Sequence, residues 1–195
     1  MIWLFVLLSL PLVSVSLIRF TIDSTTSHSH ERAVILKQGS IFGLLMGTVF
    51  MGLSLFGNLI HLSTALESVI DLVVVPVFLG VTVLTFAISG YRTSRLTGHL
   101  WAASLAGLLT GIFAFMLLGL SFVILDMVFF DIVRQQPEKV FNFAHSSYSD
   151  MRAYLFDSTV RGATLVTLAG GVLGALFGSV GGLVGNRKHV QRRTS

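Results

Sequence analysis

Residues 162–185, GATLVTLAGGVLGALFGSVGGLVG, decide the fold, because this stretch is long enough to span a bilayer yet contains eight glycines. In water each glycine inside a helix costs about 1 kcal/mol relative to alanine, so the stretch would form a poor soluble helix. In hydrocarbon no solvent competes for the backbone hydrogen bonds, and the same residues are helical. The stretch therefore predicts a transmembrane helix that neighbouring helices must support.

A helical projection of the same residues separates small side chains from bulky ones. Successive residues turn by about 100°, which leaves leucine, valine and phenylalanine on one side and small residues on the other. Faces of small residues let helix backbones approach closely, and this approach drives helix association in membranes. The small side consists of Ala163, Thr164, Thr167, Gly170, Gly171, Gly174, Ala175, Gly178, Gly181, Gly182 and Gly185.

The composition agrees with a membrane protein. Of 195 residues, 53% are hydrophobic and 11% are charged, whereas about a quarter of the residues of soluble proteins are charged. The net charge of +4 does not indicate a nucleic-acid partner, because the basic residues lie in short loops and at the C-terminus. The chain has no cysteine, which excludes disulfides, thiolate metal sites and a cysteine nucleophile.

The hydrophobic pattern predicts one domain, residues 1–195, built as an all-α bundle of five transmembrane helices with close Gly/Ala/Ser packing. The spans lie at about 2–18, 39–60, 69–88, 100–125 and 162–185. The alternative for the first apolar run is a cleaved signal peptide, which is disfavoured because no lysine or arginine precedes it. The predicted helix-packing residues are Gly39, Gly43, Gly47, Gly107, Gly111, Gly170, Gly174, Gly178 and Gly182.

The segments between the spans set the predicted orientation. Polar loops are expected at 21–38 and 89–100, a long interfacial aromatic loop at 126–161, and a basic cytoplasmic tail at 186–195. In the long loop, Pro137 is expected to end the fourth helix, and SSYSD to begin the fifth. With five spans, nine lysines and arginines fall on one side and four on the other. The positive-inside rule then places the protein in the cell membrane with its N-terminus outside and its C-terminus in the cytoplasm.

Several polar residues near the predicted outer face are candidates for a pathway. They would form an acidic vestibule that attracts a cation or a proton. The alternative is structural: acids favour a helix N-terminus, Asp131 pairs with Arg134, and polar groups bond between helices. The candidates are Asn58, His61, Glu67, Asp71, Asp126 and Asp131.

Two further groups of polar residues have simple interpretations. His28, His30 and Glu31 have metal-ligand chemistry, but they lie in a polar stretch that we interpret as a solvated loop, so no metal site is predicted. The tail residues are expected to orient the chain and to contact anionic lipid. Those lipid-surface residues are Arg187, Lys188, Arg192 and Arg193.

No phosphate-binding loop, nucleophile elbow, zinc-protease motif or dinucleotide fingerprint is present. The leading hypothesis is therefore a non-enzymatic multi-pass membrane protein without a cofactor, which acts through helix packing as an accessory or assembly subunit. Its expected partners are the lipid bilayer and another membrane protein or a second copy of the chain. The alternative is a small transporter or channel for a cation or small solute that uses the acidic vestibule, and an intramembrane enzyme ranks third.

Overall fold

The computed structural model describes residues 15–16, 29–59 and 64–194, with side chains at 15–16, 30–56, 73 and 75–186. All the elements in this part of the chain are helices. Four of them, α1, α2, α3 and α6, are long and apolar enough to cross a membrane, so the described chain is all-α and agrees with the predicted membrane class. The helices are α1 (Ser29–Leu59), α2 (Thr64–Thr97), α3 (Leu100–Val128), α4 (Phe130–Val133), α5 (Pro137–Ala144) and α6 (Met151–Thr194).

The helices extend beyond the predicted spans, so several predicted loops are wrong. Residues 29–38 are helical rather than part of a polar loop, and residues 89–97 continue α2. Residues 151–161 of the predicted 126–161 loop are helical, as the SSYSD pattern indicates, and the predicted tail is helical through Thr194. Hydropathy reports only the part of a helix that lies in hydrocarbon, whereas its backbone bonds continue into polar sequence. Of the predicted 2–18 span, only Val15 and Ser16 are described, and both are helical.

A two-residue turn joins α2 to α3 and makes them antiparallel neighbours. Gly98 has φ 76°, a left-handed conformation that costs glycine little and other residues more. Its amide donates to the Ser94 carbonyl at 2.7 Å, and the His99 amide donates to the Thr97 hydroxyl at 3.3 Å. The polar stretch SGYRTSRLTGH is therefore a helix end with a tight turn, and not a loop.

The connection from α3 to α6 is broken at a different residue from the one predicted. The break falls at Phe129, whose amide donates to the Leu125 carbonyl at 2.9 Å. Pro137 is instead the first residue of α5, where a missing amide hydrogen is tolerated. The carboxylate of Asp150 accepts from the Arg152 and Ala153 amides at 3.2 and 3.0 Å. It therefore caps the start of α6, as the SSYSD pattern predicts.

Helix α3 lies at the centre of the described bundle and contacts α1, α2 and α6. One core cluster joins α1 to α3 through Ile35, Ala102, Ala106 and Leu109, and Val15 packs against it. A second cluster joins α1, α2 and α3 through Met46, Phe50, Phe86 and Ala114. The eight residues that form the two clusters are at least 95% buried, and α3 supplies four of them.

The bundle has two ends of different charge. The basic end contains the start of α1, the turn between α2 and α3, and the C-terminal part of α6, because Glu31 contacts His99 and Gly185 faces Tyr91. The mixed-charge end contains the end of α3, helices α4 and α5, and the start of α6. Described charges at the basic end are Glu31, Arg32, Lys37, Arg92 and Arg95, and those at the mixed-charge end are Asp126, Asp131, Arg134, Glu138, Lys139, Asp150, Arg152, Asp157 and Arg161.

Candidate functional sites

The small side of α6 faces the bundle and the bulky side faces outward. Every residue of the small side is buried except Ala175, which is half-buried. On the bulky side Phe177 is half-buried, and the leucines and valines are exposed, with Val172 60% exposed. In a membrane these outward leucines and valines would face lipid.

Helices α3 and α6 approach so closely that backbone meets backbone. A Cβ atom built on Gly107 would lie within 3.0 Å of the Gly174 carbonyl oxygen, and one on Gly111 would meet the Gly170 carbonyl in the same way. A Cβ on Gly178 would lie 2.8 Å from the Ala103 carbonyl oxygen. Real side-chain carbons do not come this close, so glycine is required at these contacts for the helices to keep their present separation.

The glycines of α1 face side chains of α3, whereas a glycine of α2 faces the backbone of α6. On α1, a Cβ on Gly39 or Gly43 would lie 2.7 Å from the Cβ of Leu109 or Phe113, so large side chains of α3 lie against this face. On α2, a Cβ on Gly90 would meet the Gly178 carbonyl within 3.0 Å. Gly90 is missing from the predicted packing residues because it falls in the predicted 89–100 loop. Like Gly39 and Gly43, Gly47 of α1 packs against a large side chain of α3, that of Leu117. Gly182 of α6 packs against Ala103 of α3.

Hydroxyl groups bond across the same interfaces. Ser89 of α2 and Thr110 of α3 share a buried hydrogen bond of 2.9 Å. The Ser104 hydroxyl of α3 donates to the Ala175 carbonyl of α6 at 3.3 Å. In a membrane such interhelical bonds contribute on average about 0.6 kcal/mol each, so they fix the register of the helices more than they stabilise the fold.

A cavity of about 300 Å³ lies between α3 and α6 near the mixed-charge end. Helix α3 contributes three residues spaced at i, i+3 and i+7, which share one face of a helix. Helix α5 contributes one residue, and α6 contributes the rest. The lining residues are Gly119, Phe122, Asp126, Lys139, Ser158, Thr159, Gly162, Ala163 and Val166.

Asp126 is the buried acidic group of this cavity, with 7% of its surface exposed. The Thr159 hydroxyl donates a short hydrogen bond to its Oδ2 atom. A buried carboxylate needs such donors because leaving water is costly for a charged group. Lys139 lines the same cavity, and the described residues show no ion pair between it and Asp126. The cavity therefore offers one carboxylate and one ammonium that do not neutralise each other by direct contact.

The structure does not assemble the predicted vestibule from the residues whose side chains it describes. Asp131 lies on the surface and pairs with Arg134 at 3.2 Å, with both side chains at least half exposed, as the structural alternative predicts. Asn58 lies in α1, and Glu67 and Asp71 lie in α2, but the structure does not describe their side chains. His61 lies outside the described residues, and so do the side chains of Arg187, Lys188, Arg192 and Arg193.

At the basic end, Glu31 pairs with a histidine that the sequence did not indicate. Its Oε1 lies 3.3 Å from Nε2 of His99, and Glu31 is 8% exposed. Glu31 is therefore a buried helix residue and not part of a solvated loop, whereas His30 is exposed. His28 lies outside the described residues, among which no three histidine, aspartate or glutamate side chains are placed to hold a metal ion.

A hydrogen-bonded corner links the α5–α6 connection to α6. The Tyr148 hydroxyl donates to Oδ2 of Asp157 at 2.8 Å, and Nη2 of Arg161 lies 3.6 Å from the same oxygen. The hydrogen bond to Asp157 raises the pKa of Tyr148 above its usual value of 10.0, and loss of hydration and the negative charge of Asp157 add to this. Arg161 partly offsets the effect. Tyr148 therefore stays neutral to higher pH than a free tyrosine.

Residues 75–81 of α2 are mostly exposed. From Val73 to Val81 every described side chain is exposed except Phe78, and Gly80 has no atom within 4 Å of where a Cβ would lie. Phe78 stacks on Phe50 with ring centroids 4.0 Å apart. In the C-terminal half, by contrast, a regular stripe of residues is buried against α3 and α6. The C-terminal half of α2 is therefore packed, whereas residues 75–81 contact the described bundle mainly through Phe78.

We find no protein-family model, curated protein or solved structure that matches this chain. The function must therefore be argued from the geometry alone.

Proposed function

We propose that the protein is a non-enzymatic accessory or assembly subunit of the membrane, which binds another membrane protein through the N-terminal half of α2. The observation that carries this proposal is that the described side chains of this half, at 73 and 75–81, are exposed except for Phe78. Val75, Val77 and Leu79 are 51%, 59% and 58% exposed, and successive helix residues point about 100° apart. Because only Phe78 of these residues packs against the bundle, most of the surface of this helix segment is available to a partner.

The glycines add a second argument for this surface. Within the close α3–α6 contact, glycine backbones already face each other inside the chain, so a partner has no access to them. Gly80, by contrast, leaves an open position on the exposed half of α2. Open glycines let a second helix approach closely. We therefore assign the Gly/Ala/Ser faces to packing within the bundle and the surface around Gly80 to the partner.

The proposed architecture has five spans, with the N-terminus outside and the C-terminus in the cytoplasm. Val15 is helical and packs against the core cluster of Ile35 and Ala102, which supports a first apolar helix inside the bundle. The basic end has four described lysines and arginines and one acid, whereas acids outnumber bases at the mixed-charge end. The positive-inside rule then favours the basic end as cytoplasmic.

The experiment compares copurification by two tryptophan variants of the full chain in mild detergent. Gly80→Trp places a large ring on the proposed partner surface, and Val172→Trp places the same ring on the exposed side of α6. We expect Gly80→Trp to lose a protein that copurifies with wild type in stoichiometric amounts, and Val172→Trp to retain it. Equal recovery with both variants, or no stoichiometric partner of the wild type, would contradict the proposal.

A second candidate function is binding or transport of a small solute, and the cavity at Asp126 favours it. A buried carboxylate in a cavity near the membrane surface is where a transported cation would be held. The close α3–α6 contact leaves no room for a water-filled path between those two helices, so this candidate needs helix movement to carry a solute across. A cation flux in proteoliposomes that is abolished by Asp126→Asn would place transport ahead of the accessory role.

A further inference from the structure

We propose that the cavity between α3 and α6 binds the head group of a zwitterionic phospholipid that carries a primary amine, the phosphatidylethanolamine class. This inference does not depend on a protein partner at α2, since the two surfaces lie on different helices. It rests on where the cavity opens, on how its polarity changes with depth, and on its two charges.

The cavity opens sideways on the outer surface of the described bundle. Phe122 of α3 and Val166 of α6 line it, and they are 41% and 43% exposed. Both side chains therefore border the cavity and the surroundings of the bundle, which are lipid in a membrane. A lipid molecule can enter from the side without first leaving the bilayer.

The polarity of the lining changes along the helix axes in the same direction as that of a lipid. On α3, Asp126 lies seven residues beyond Gly119, a rise of about 10 Å towards the mixed-charge end. On α6, Ser158 and Thr159 lie at that end, and Val166 lies deeper. A lipid has its charged group at the membrane surface and its chains below, so the gradient matches an amphipathic ligand. A water-soluble solute would gain little from the apolar part.

The two charges of the cavity select a zwitterion. An anionic lipid would be repelled by the Asp126 carboxylate, and a cationic amphiphile by the Lys139 ammonium, whereas a zwitterion finds an opposite charge for each of its own. Thr159 binds Oδ2 of Asp126, and Oδ1 can accept an N–H from a ligand. A primary ammonium donates such a bond, but the quaternary ammonium of choline has no N–H.

The size of the cavity suits a head group. Its volume of about 300 Å³ lies at the lower end of the range of about 300–1,000 Å³ for small-molecule pockets. The acyl chains would continue along the exposed groove beside Phe122 and Val166. Gly162 lines the cavity and has no atom within 4 Å of where a Cβ would lie, so a larger side chain there would fill the cavity without a direct backbone clash.

The test is lipid retention by the purified full-length protein, measured by native mass spectrometry after exposure to equal amounts of three phospholipids. The probes are phosphatidylethanolamine, phosphatidylcholine and phosphatidylglycerol. We expect wild type to retain phosphatidylethanolamine about tenfold better than either of the others, which corresponds to about 1.4 kcal/mol. Asp126→Asn should remove the preference for the amine, and Gly162→Leu should remove retention.

Gly52→Leu is the matched control, because it makes the same change at an open glycine of α1, a helix that contributes no residue to the cavity, and it should retain the lipid as wild type does. Lys139→Gln, at the rim on α5, is the second variant if Asp126→Asn fails to fold, and it should lower retention of phosphatidylethanolamine severalfold. Equal retention of the three lipids by wild type would overturn the proposal, as would retention unaffected by Gly162→Leu. Competition by free phosphoethanolamine as strong as that by the lipid would assign the cavity to a soluble ligand instead.

Discussion

Tyr148 illustrates how one side chain is governed by its immediate contact. Its hydroxyl donates to Asp157, and ionisation of the phenol would break this bond and place a second negative charge beside the carboxylate. The raised pKa is a consequence of that contact. Because the folded pKa lies above the unfolded value, the contact stabilises the protein fully below pH 10 and loses its effect as the pH rises through the folded pKa.

We predict that Asp157→Asn lowers the pKa of Tyr148 towards its usual value. The variant removes the charge that disfavours the phenolate, while the amide oxygen can still accept the hydrogen bond. The measurement is a spectrophotometric titration of phenolate absorbance, with the chain's other two tyrosines, Tyr91 and Tyr154, replaced by phenylalanine in both proteins. An unchanged titration curve would show that Asp157 does not control Tyr148.

The residues of the cavity show which contacts can be predicted from sequence. The pair of Asp131 and Arg134 is predictable because both residues lie within one turn of chain. Asp126 is also identified as a candidate, but its partner Thr159 is 33 residues away on another helix. Neither Thr159 nor Lys139 carries a local signal, because their position depends on how α3, α5 and α6 pack.

At the scale of elements, the glycine contacts of α3 and α6 make a direct prediction. Gly111→Ala places a Cβ against the Gly170 carbonyl, so the helices must separate, and overpacking of this kind costs about 1–3 kcal/mol. Gly80→Ala makes the same substitution where no atom lies within 4 Å, and alanine is the better helix residue. We expect a lower midpoint of thermal unfolding in detergent for Gly111→Ala and an equal or higher midpoint for Gly80→Ala. Equal midpoints for the two variants would contradict the close contact.

The sequence predicts which residues of a helix face inward better than it predicts where the helix ends. The small side of α6 is predicted from helical periodicity, and the structure buries nearly every one of its residues. The 100° step between residues sets which side chains share a face, both in the prediction and in the folded helix. The ends are not predictable from hydropathy, because residues 29–32 and 37–38 of α1 and 92–95 of α2 are polar yet helical. Gly98 is the exception, as a glycine just past a helix end is a recognised stop signal.

In the molecule as a whole, the described chain is closely packed at its centre and exposed at residues 75–81 of α2, apart from Phe78. Helix α3 spans about 43 Å at 1.5 Å per residue, which exceeds a hydrocarbon core of about 30 Å and places Asp126 near the membrane surface. The inward small faces hold α3 against α1 and α6, whereas the outward faces are bulky and apolar. A closely packed bundle would therefore carry the proposed partner surface on α2.

Site-directed photo-crosslinking in native membranes tests this claim most directly. A photoreactive residue at position 80 lies on the proposed partner surface. One at position 172 is a control on the exposed side of α6 at a similar depth, since Gly181 of α6 faces Ala87 of α2, and positions 80 and 172 precede these two residues by seven and nine positions. We predict that position 80 crosslinks to one protein in high yield and that position 172 crosslinks to lipid alone. Lipid adducts alone at both positions would contradict the proposal that α2 binds a partner.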